Sequence, residues 1–330
     1  MQDVRRLARP VSAGIQLPAI FIAAAAVSAA AICAAPLTAS IVTVFLFAGL
    51  HNFMEFRYFA ARMPVSWGRS RGYYLTGIGG VIVLTAAYLA IYFGGGRWLW
   101  DIDEWLTAVA AWDTAFILWV GWLFFLRRGK ERGWMFGVIF LLAALAWLVP
   151  SYWSLALVYV HPFVAMWFLE RQIRRTRPEW LRGYHLCLAS LPVFLAMIWL
   201  MLAGTPDLPG DNSLFARIAQ HAGSGILPGV SSRMLVATHV FLESVHYAVW
   251  IVLIPLADPR AVPWRLRAIP LFSRSNGFPK MIAAVLFVGV LIAAALWTGF
   301  ALDYERTRDI YFAFAVSHVL AEFPFLVKML

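Results

Sequence analysis

Apolar runs long enough to cross about 30 Å of hydrocarbon recur roughly ten times along this chain, and little but a set of membrane helices can absorb them. Inside a bilayer each segment must satisfy its own backbone hydrogen bonds, so every run is expected to be an α-helix. The runs centre near Ala25, Ala48, Val83, Phe116, Leu142, His161, Val193, Val245, Leu291 and Val319. Composition agrees. Hydrophobic residues make up 62% of the chain and charged residues 13%, and the mean hydropathy is +0.75, which excludes a water-soluble domain. The expected architecture is an all-α, polytopic integral membrane bundle of about ten transmembrane helices. It forms one domain over residues 1–330, with no soluble module.

The placement of Lys and Arg tests that count, because cytoplasmic loops collect them. Arg5, Arg6 and Arg9 precede span 1, Arg62, Arg69 and Arg71 follow span 2, and Arg127, Arg128, Lys130 and Arg132 follow span 4. Arg171, Arg174, Arg175, Arg177 and Arg182 follow span 6, and Arg260, Arg265, Arg267, Arg274 and Lys280 follow span 8. All share one parity, while loops of the other parity are poor in basic residues or balanced by acids, as at Asp101, Asp103 and Glu104. Both termini are therefore expected in the cytoplasm, with the protein in a bacterial inner membrane. Trp98, Trp100 and Trp105 read as interfacial anchors. Orientation and anionic headgroups account for the net charge of +10, so nucleic acid is not an expected partner. The first span is long for a cleaved signal peptide. Cys33 and Cys187 supply neither a disulfide framework nor a cysteine zinc site.

Three times a histidine is followed four residues later by a glutamate inside an expected span: His51/Glu55, His239/Glu243 and His318/Glu322. Residues at i and i+4 share one helix face, about one turn apart, so each pair can aim an imidazole and a carboxylate at one point. Ionisable groups at membrane depth are costly and are kept where they have a use. The even-numbered spans hold all such residues: His51 and Glu55 on span 2, Asp113 on span 4, His161 on span 6, His239, Glu243 and His246 on span 8, and His318 and Glu322 on span 10. Even spans cross in the same direction, so these helices are expected to be parallel and central, with ligands converging at similar depth. His239, Glu243 and His246, at offsets 0, +4 and +7, form one polar stripe.

The expected metal ligands are His51, Glu55, His161, His239, Glu243, His246, His318 and Glu322, with Glu243 and Glu322 also the expected catalytic carboxylates. Asp113 is expected to orient a histidine from behind. Each residue also has a plainer reading. Glu55 can pair with Arg57 or Arg62, and His161 can bond the carbonyl that Pro162 leaves without a donor. His185 and His221 read as solvated, and Glu170 as an interfacial ion pair beside Arg171.

His51-Asn52-Phe53-Met54-Glu55 resembles the His-Asn-x-x-Asp element of ZIP-type metal transporters, whose companion element is missing from this chain. The histidine boxes of membrane fatty-acid desaturases are also missing, and the polyhistidine iron site of carotene-cleaving membrane dioxygenases is matched in chemistry without a motif. A mixed imidazole and carboxylate set suits iron or manganese better than copper(I) or calcium, with zinc also accommodated. The expectation is a membrane metalloenzyme with a dinuclear non-haem iron centre that oxidises a lipophilic substrate from the bilayer with O2, served by an electron-donor protein. The alternatives are a zinc-dependent lipid hydrolase, a metal-ion or proton transporter using the same array, and an electron-transfer protein with haem b between His161 and His318.

Overall fold

Each of the ten apolar centres falls inside an α-helix of the computed structural model, which describes residues 12–95, 101–128, 133–210, 212–275 and 277–330. The helices are α1 (Ser12–Ala34), α2 (Pro36–Ala60), α3 (Arg71–Gly94), α4 (Ile102–Arg128), α5 (Trp134–Leu148), α6 (Pro150–Thr176), α7 (Leu181–Leu202), α8 (Ser213–His221), α9 (Ser232–Ala248), α10 (Ile254–Ala257), α11 (Pro270–Ser273), α12 (Pro279–Leu302) and α13 (Tyr304–Met329). The protein is all-helical, with no strand among the described residues. Among the described residues, eight helices are long and apolar enough to cross a membrane: α2, α3, α4, α6, α7, the α9 to α10 segment, α12 and α13. Two shorter apolar helices, Pro18–Ala34 and Trp134–Leu148, account for the remaining centres. The 15 residues of α5 rise about 22 Å, short of the roughly 30 Å of hydrocarbon that a perpendicular helix must cover. Arg5, Arg6, Arg9, Trp98, Trp100, Lys130 and Arg132 lie outside the described residues.

The chain divides into two compact units, and the divisions fall inside α2, between Ala48 and Gly49, and inside α6, between His161 and Pro162. The first unit comprises the described residues up to Ala48 with Pro162–Pro259. In it α1 packs chiefly on α7, and both pack on α9. Indole, phenol and hydroxyl groups close the helix contacts through hydrogen bonds, as membrane packing favours. Tyr184 donates to the Met166 carbonyl at 2.6 Å, Trp199 to Thr238 Oγ1 at 2.9 Å, and Thr176 to the Ala257 carbonyl at 2.8 Å. Asp207 fastens the start of α9 by accepting from the Ser232 amide at 2.6 Å and the Ser232 hydroxyl at 2.9 Å. Beyond Ala248 the helix widens into one π turn, Val249–Leu253, before α10. Pro255 has no N–H to return to the carbonyl of Ile251, which loosens the α-helical ladder at that point.

The second unit, Gly49–His161 with Arg260–Leu330, is organised around α13, which packs on α3, α4 and α12. Small residues set the close approaches. A Cβ on Gly77 of α3 would lie 3.2 Å from the Pro324 ring of α13, and a Cβ on Gly80 would lie 1.9 Å from Trp119 Nε1 of α4. That indole donates to the Thr76 carbonyl at 2.9 Å, and Trp112 donates to the Leu84 carbonyl at 2.8 Å. The remainder of α2 meets α12 reciprocally: Gly49 lies against Ala293, and Phe53 lies against Gly289. Arg57, one turn further along the same face, is fully buried and donates to the carbonyls of Val262, Pro263 and Arg265.

Candidate metal centre

That contact fixes the rotation of α2. With Gly49, Phe53 and Arg57 turned toward α12 and its leading loop, positions 51 and 55 lie two residues off, about 200° around the helix, and face the other way. The same logic holds on α13. Leu320 and Phe323 join the apolar core built on α3 and α4, with Phe323 edge-on to Phe116 at 4.8 Å, and this leaves His318 and Glu322 on a different face. The i, i+4 pairs of α2 and α13 therefore confront one another.

Within the second unit His51, Glu55, His161, His318 and Glu322 come together. The His51 and His318 rings are 5.2 Å apart between centroids and nearly perpendicular. The His161 and His318 rings are 5.3 Å apart at 66°. One ligand atom from each of His51, Glu55 and His318 falls within 4.8 Å of the others. His161 Nδ1 lies 3.4 Å from Glu322 Oε2. Glu55 and Glu322 are close enough to repel each other's charge. Two imidazoles bound to one ion at about 2.1 Å, at tetrahedral or octahedral angles, place their centroids about 5 Å apart, so the His51–His318 spacing suits a shared metal.

Burial makes the cluster costly. His51 and Glu55 are each 1% exposed, and Glu322 is 0% exposed. Both carboxylate oxygens of Glu55 lack a hydrogen-bond partner among the described residues. The plainer partners proposed for Glu55 are engaged elsewhere: Arg57 holds loop carbonyls, and Arg62 stacks 3.2 Å above the Tyr58 ring. Two dry carboxylates side by side are destabilising unless a cation or a proton lies between them. A metal ion would also use the imidazole nitrogens that converge on the same space.

The α9 stripe belongs to the first unit. His239 meets the ring of His221 at 5.0 Å, edge to face, and Glu243 accepts a 2.6 Å hydrogen bond from the Tyr247 hydroxyl. His246 is buried, with its ring 5.9 Å from that of Tyr247. His221 was read as solvated; it ends α8, which packs on α9, and a separation of 18 residues carries no periodic signal of the contact. Asp113 is buried on α4, with the Tyr88 phenol and the Trp153 indole as neighbours. Glu170 pairs with Arg174 at 2.6 Å and His185 at 3.4 Å rather than with Arg171, whose guanidinium lies 5.0 Å from the Trp167 ring. The i, i+4 spacing explains the choice, because neighbouring residues diverge around a helix.

The site is thus a His/Glu cluster that could hold a metal, set in a helical protein with long apolar spans. No protein-family model, no curated protein and no solved structure matches the chain.

Proposed function

We propose that this protein is an integral membrane metalloenzyme in which His51, Glu55, His161, His318 and Glu322 hold a non-haem iron centre, with two ions. The reaction we assign to it is the O2-dependent oxidation of a lipophilic molecule taken from the bilayer, with electrons from a donor protein. The observation that carries the reading is the burial of two adjacent carboxylates among three imidazoles, with neither Glu55 oxygen hydrogen-bonded to a described residue. A mixed N/O donor set is the one iron accepts readily. Bound iron would supply the redox change and the activation of O2.

The chain's own contribution is binding, shape and dryness. The three histidines would supply nitrogen donors from three helices, α2, α6 and α13. Glu55 and Glu322 would bring negative charge to offset a bound cation. Membrane helices surround the cluster with apolar side chains, which excludes bulk water and strengthens every charge interaction inside.

Metal analysis of the full-length protein, purified in mild detergent without chelator, tests the reading. About two irons per chain support it. One tightly held zinc turns the same residues toward hydrolysis of a lipid ester or amide, and a haem spectrum assigns His161 and His318 to a different cofactor. Absence of tightly held metal removes the enzyme reading and favours a transport role for the array.

A further inference from the structure

The first unit carries an apolar groove at some distance in sequence from any metal-binding motif of α2 or α13. Met166 and Ile173 of α6, Tyr184 and Leu188 of α7, and Val249 and Leu253 of the π turn are among the residues that line it. Its lining is almost wholly apolar. The Tyr184 hydroxyl is spent on the Met166 carbonyl at 2.6 Å, and the Arg177 guanidinium lies 5.4 Å from the Trp180 ring at one end. What enters the groove needs to bring no hydrogen bonds, so it is hydrocarbon.

Length and charge narrow the occupant. From Trp180, just ahead of α7, to Leu191 within it the lining spans eleven residue steps, or about 16 Å of helix rise, close to half of the roughly 30 Å hydrocarbon core and so to the depth of one leaflet. Ile173, Trp180 and Ala257 mark one end of the groove, where Thr176 bonds the Ala257 carbonyl. The segment 170–182 at that end carries five arginines against two glutamates. Arg182, exposed in the first turn of α7, directly precedes the groove residue Gly183. Arginines beside an apolar slot one leaflet deep complement a phosphate headgroup with its acyl chains. The π turn in the groove wall is a local widening of the kind found where helices bind ligands.

We infer that this groove is a binding site for an anionic phospholipid, with an acyl chain along α7 and the π turn and the phosphate against Arg182 and its neighbours. The test is thermal unfolding of the purified full chain in detergent, with phosphatidylglycerol or with phosphatidylcholine bearing the same acyl chains added. The specific lipid binds the folded state and raises the melting temperature by an amount that grows with the logarithm of its affinity. Phosphatidylglycerol is expected to give the larger rise. Arg182→Glu is expected to abolish the difference between the two lipids, and Leu188→Trp, which fills the groove, to remove the response to both. Equal shifts for the two lipids in the unaltered protein overturn the inference, as does an unchanged lipid difference in Arg182→Glu. That substitution is on the surface, so it decides the matter even if Leu188→Trp does not fold.

Discussion

His161 Nδ1 lies 3.4 Å from the carboxylate of Glu322, a residue with no exposed surface. The separation is longer than a good hydrogen bond, which closes to about 2.7–3.2 Å. It equals the edge between two donors that each bind one ion at about 2.1 Å with a tetrahedral angle. The spacing leaves the pair able to share a cation, and the imidazole of His318 packs beside His161 with the rings 5.3 Å apart at 66°.

Removing one carboxylate charge should therefore have opposite effects in the two metal states. Glu55→Gln in protein stripped with chelator removes the cost of burying a carboxylate, together with its repulsion from Glu322, and is expected to raise the melting temperature. In metal-loaded protein the same change removes a ligand and is expected to lower it, with affinity falling by more than the ~10–100-fold that loss of a supporting hydrogen bond costs. Melting curves with and without chelator, alongside bound metal per chain, check both signs. A fall in both states would mean that Glu55 has a purely structural role.

Helix contact in the second unit depends on Gly80. A Cβ there would overlap Trp119 Nε1 at 1.9 Å, and that nitrogen donates to the Thr76 carbonyl. Gly80→Ala must displace the indole, and is expected to destabilise by about 1–3 kcal/mol. Gly79, with nothing within 4 Å of its added Cβ, is the control: Gly79→Ala should stay within about 0.5 kcal/mol of the parent. Parallel unfolding titrations of the two variants in detergent provide the comparison.

Hydrophobic runs and i, i+4 spacing made much of this legible in advance. The ten centres all fall in helices, and the His51/Glu55 and His318/Glu322 pairs meet in one unit because each could be read as one face of one helix, with His161 of α6 beside them. The length of α5 was less legible, because apolar composition continues past the point where Val149 leaves helical geometry before Pro150. The contact of His221 with His239 depends on how α8 folds back on α9, which periodicity does not encode. Which arginine pairs with Glu170 was decided by helix geometry rather than by adjacency.

Arg57 anchors the chain segment ahead of α12. Its guanidinium is fully buried and reaches three carbonyls, of Val262, Pro263 and Arg265, the closest at 2.9 Å. Lysine can supply charge but not the planar fork that spans several acceptors. Arg57→Lys is expected to cost about 1–3 kcal/mol, with Arg57→Ala costing more because the carbonyls lose their donor altogether. Limited proteolysis should show faster cleavage between residues 259 and 268 in both variants. Cleavage at the parental rate would show that the loop holds its place without the arginine.

The last relationship titrates outside the membrane-spanning helices. Asp207 accepts from the backbone amide and the hydroxyl of Ser232 at the start of α9, and these bonds hold its carboxyl below the usual carboxylate range. A depressed folded-state value means that the carboxylate stabilises the fold at neutral pH. The contribution is fully present above the unfolded value of about 3.9 and is lost as the pH falls through the lower folded value. Asp207→Asn keeps the shape but not the charge near the positive end of α9. The variant is therefore expected to melt below the parent at pH 6–7, by an amount that shrinks and vanishes as the pH is taken down through about 4 to below the folded value. Melting temperatures of the two proteins across that series test the sign. A gap that persists unchanged in acid would assign the difference to shape rather than to the carboxylate charge.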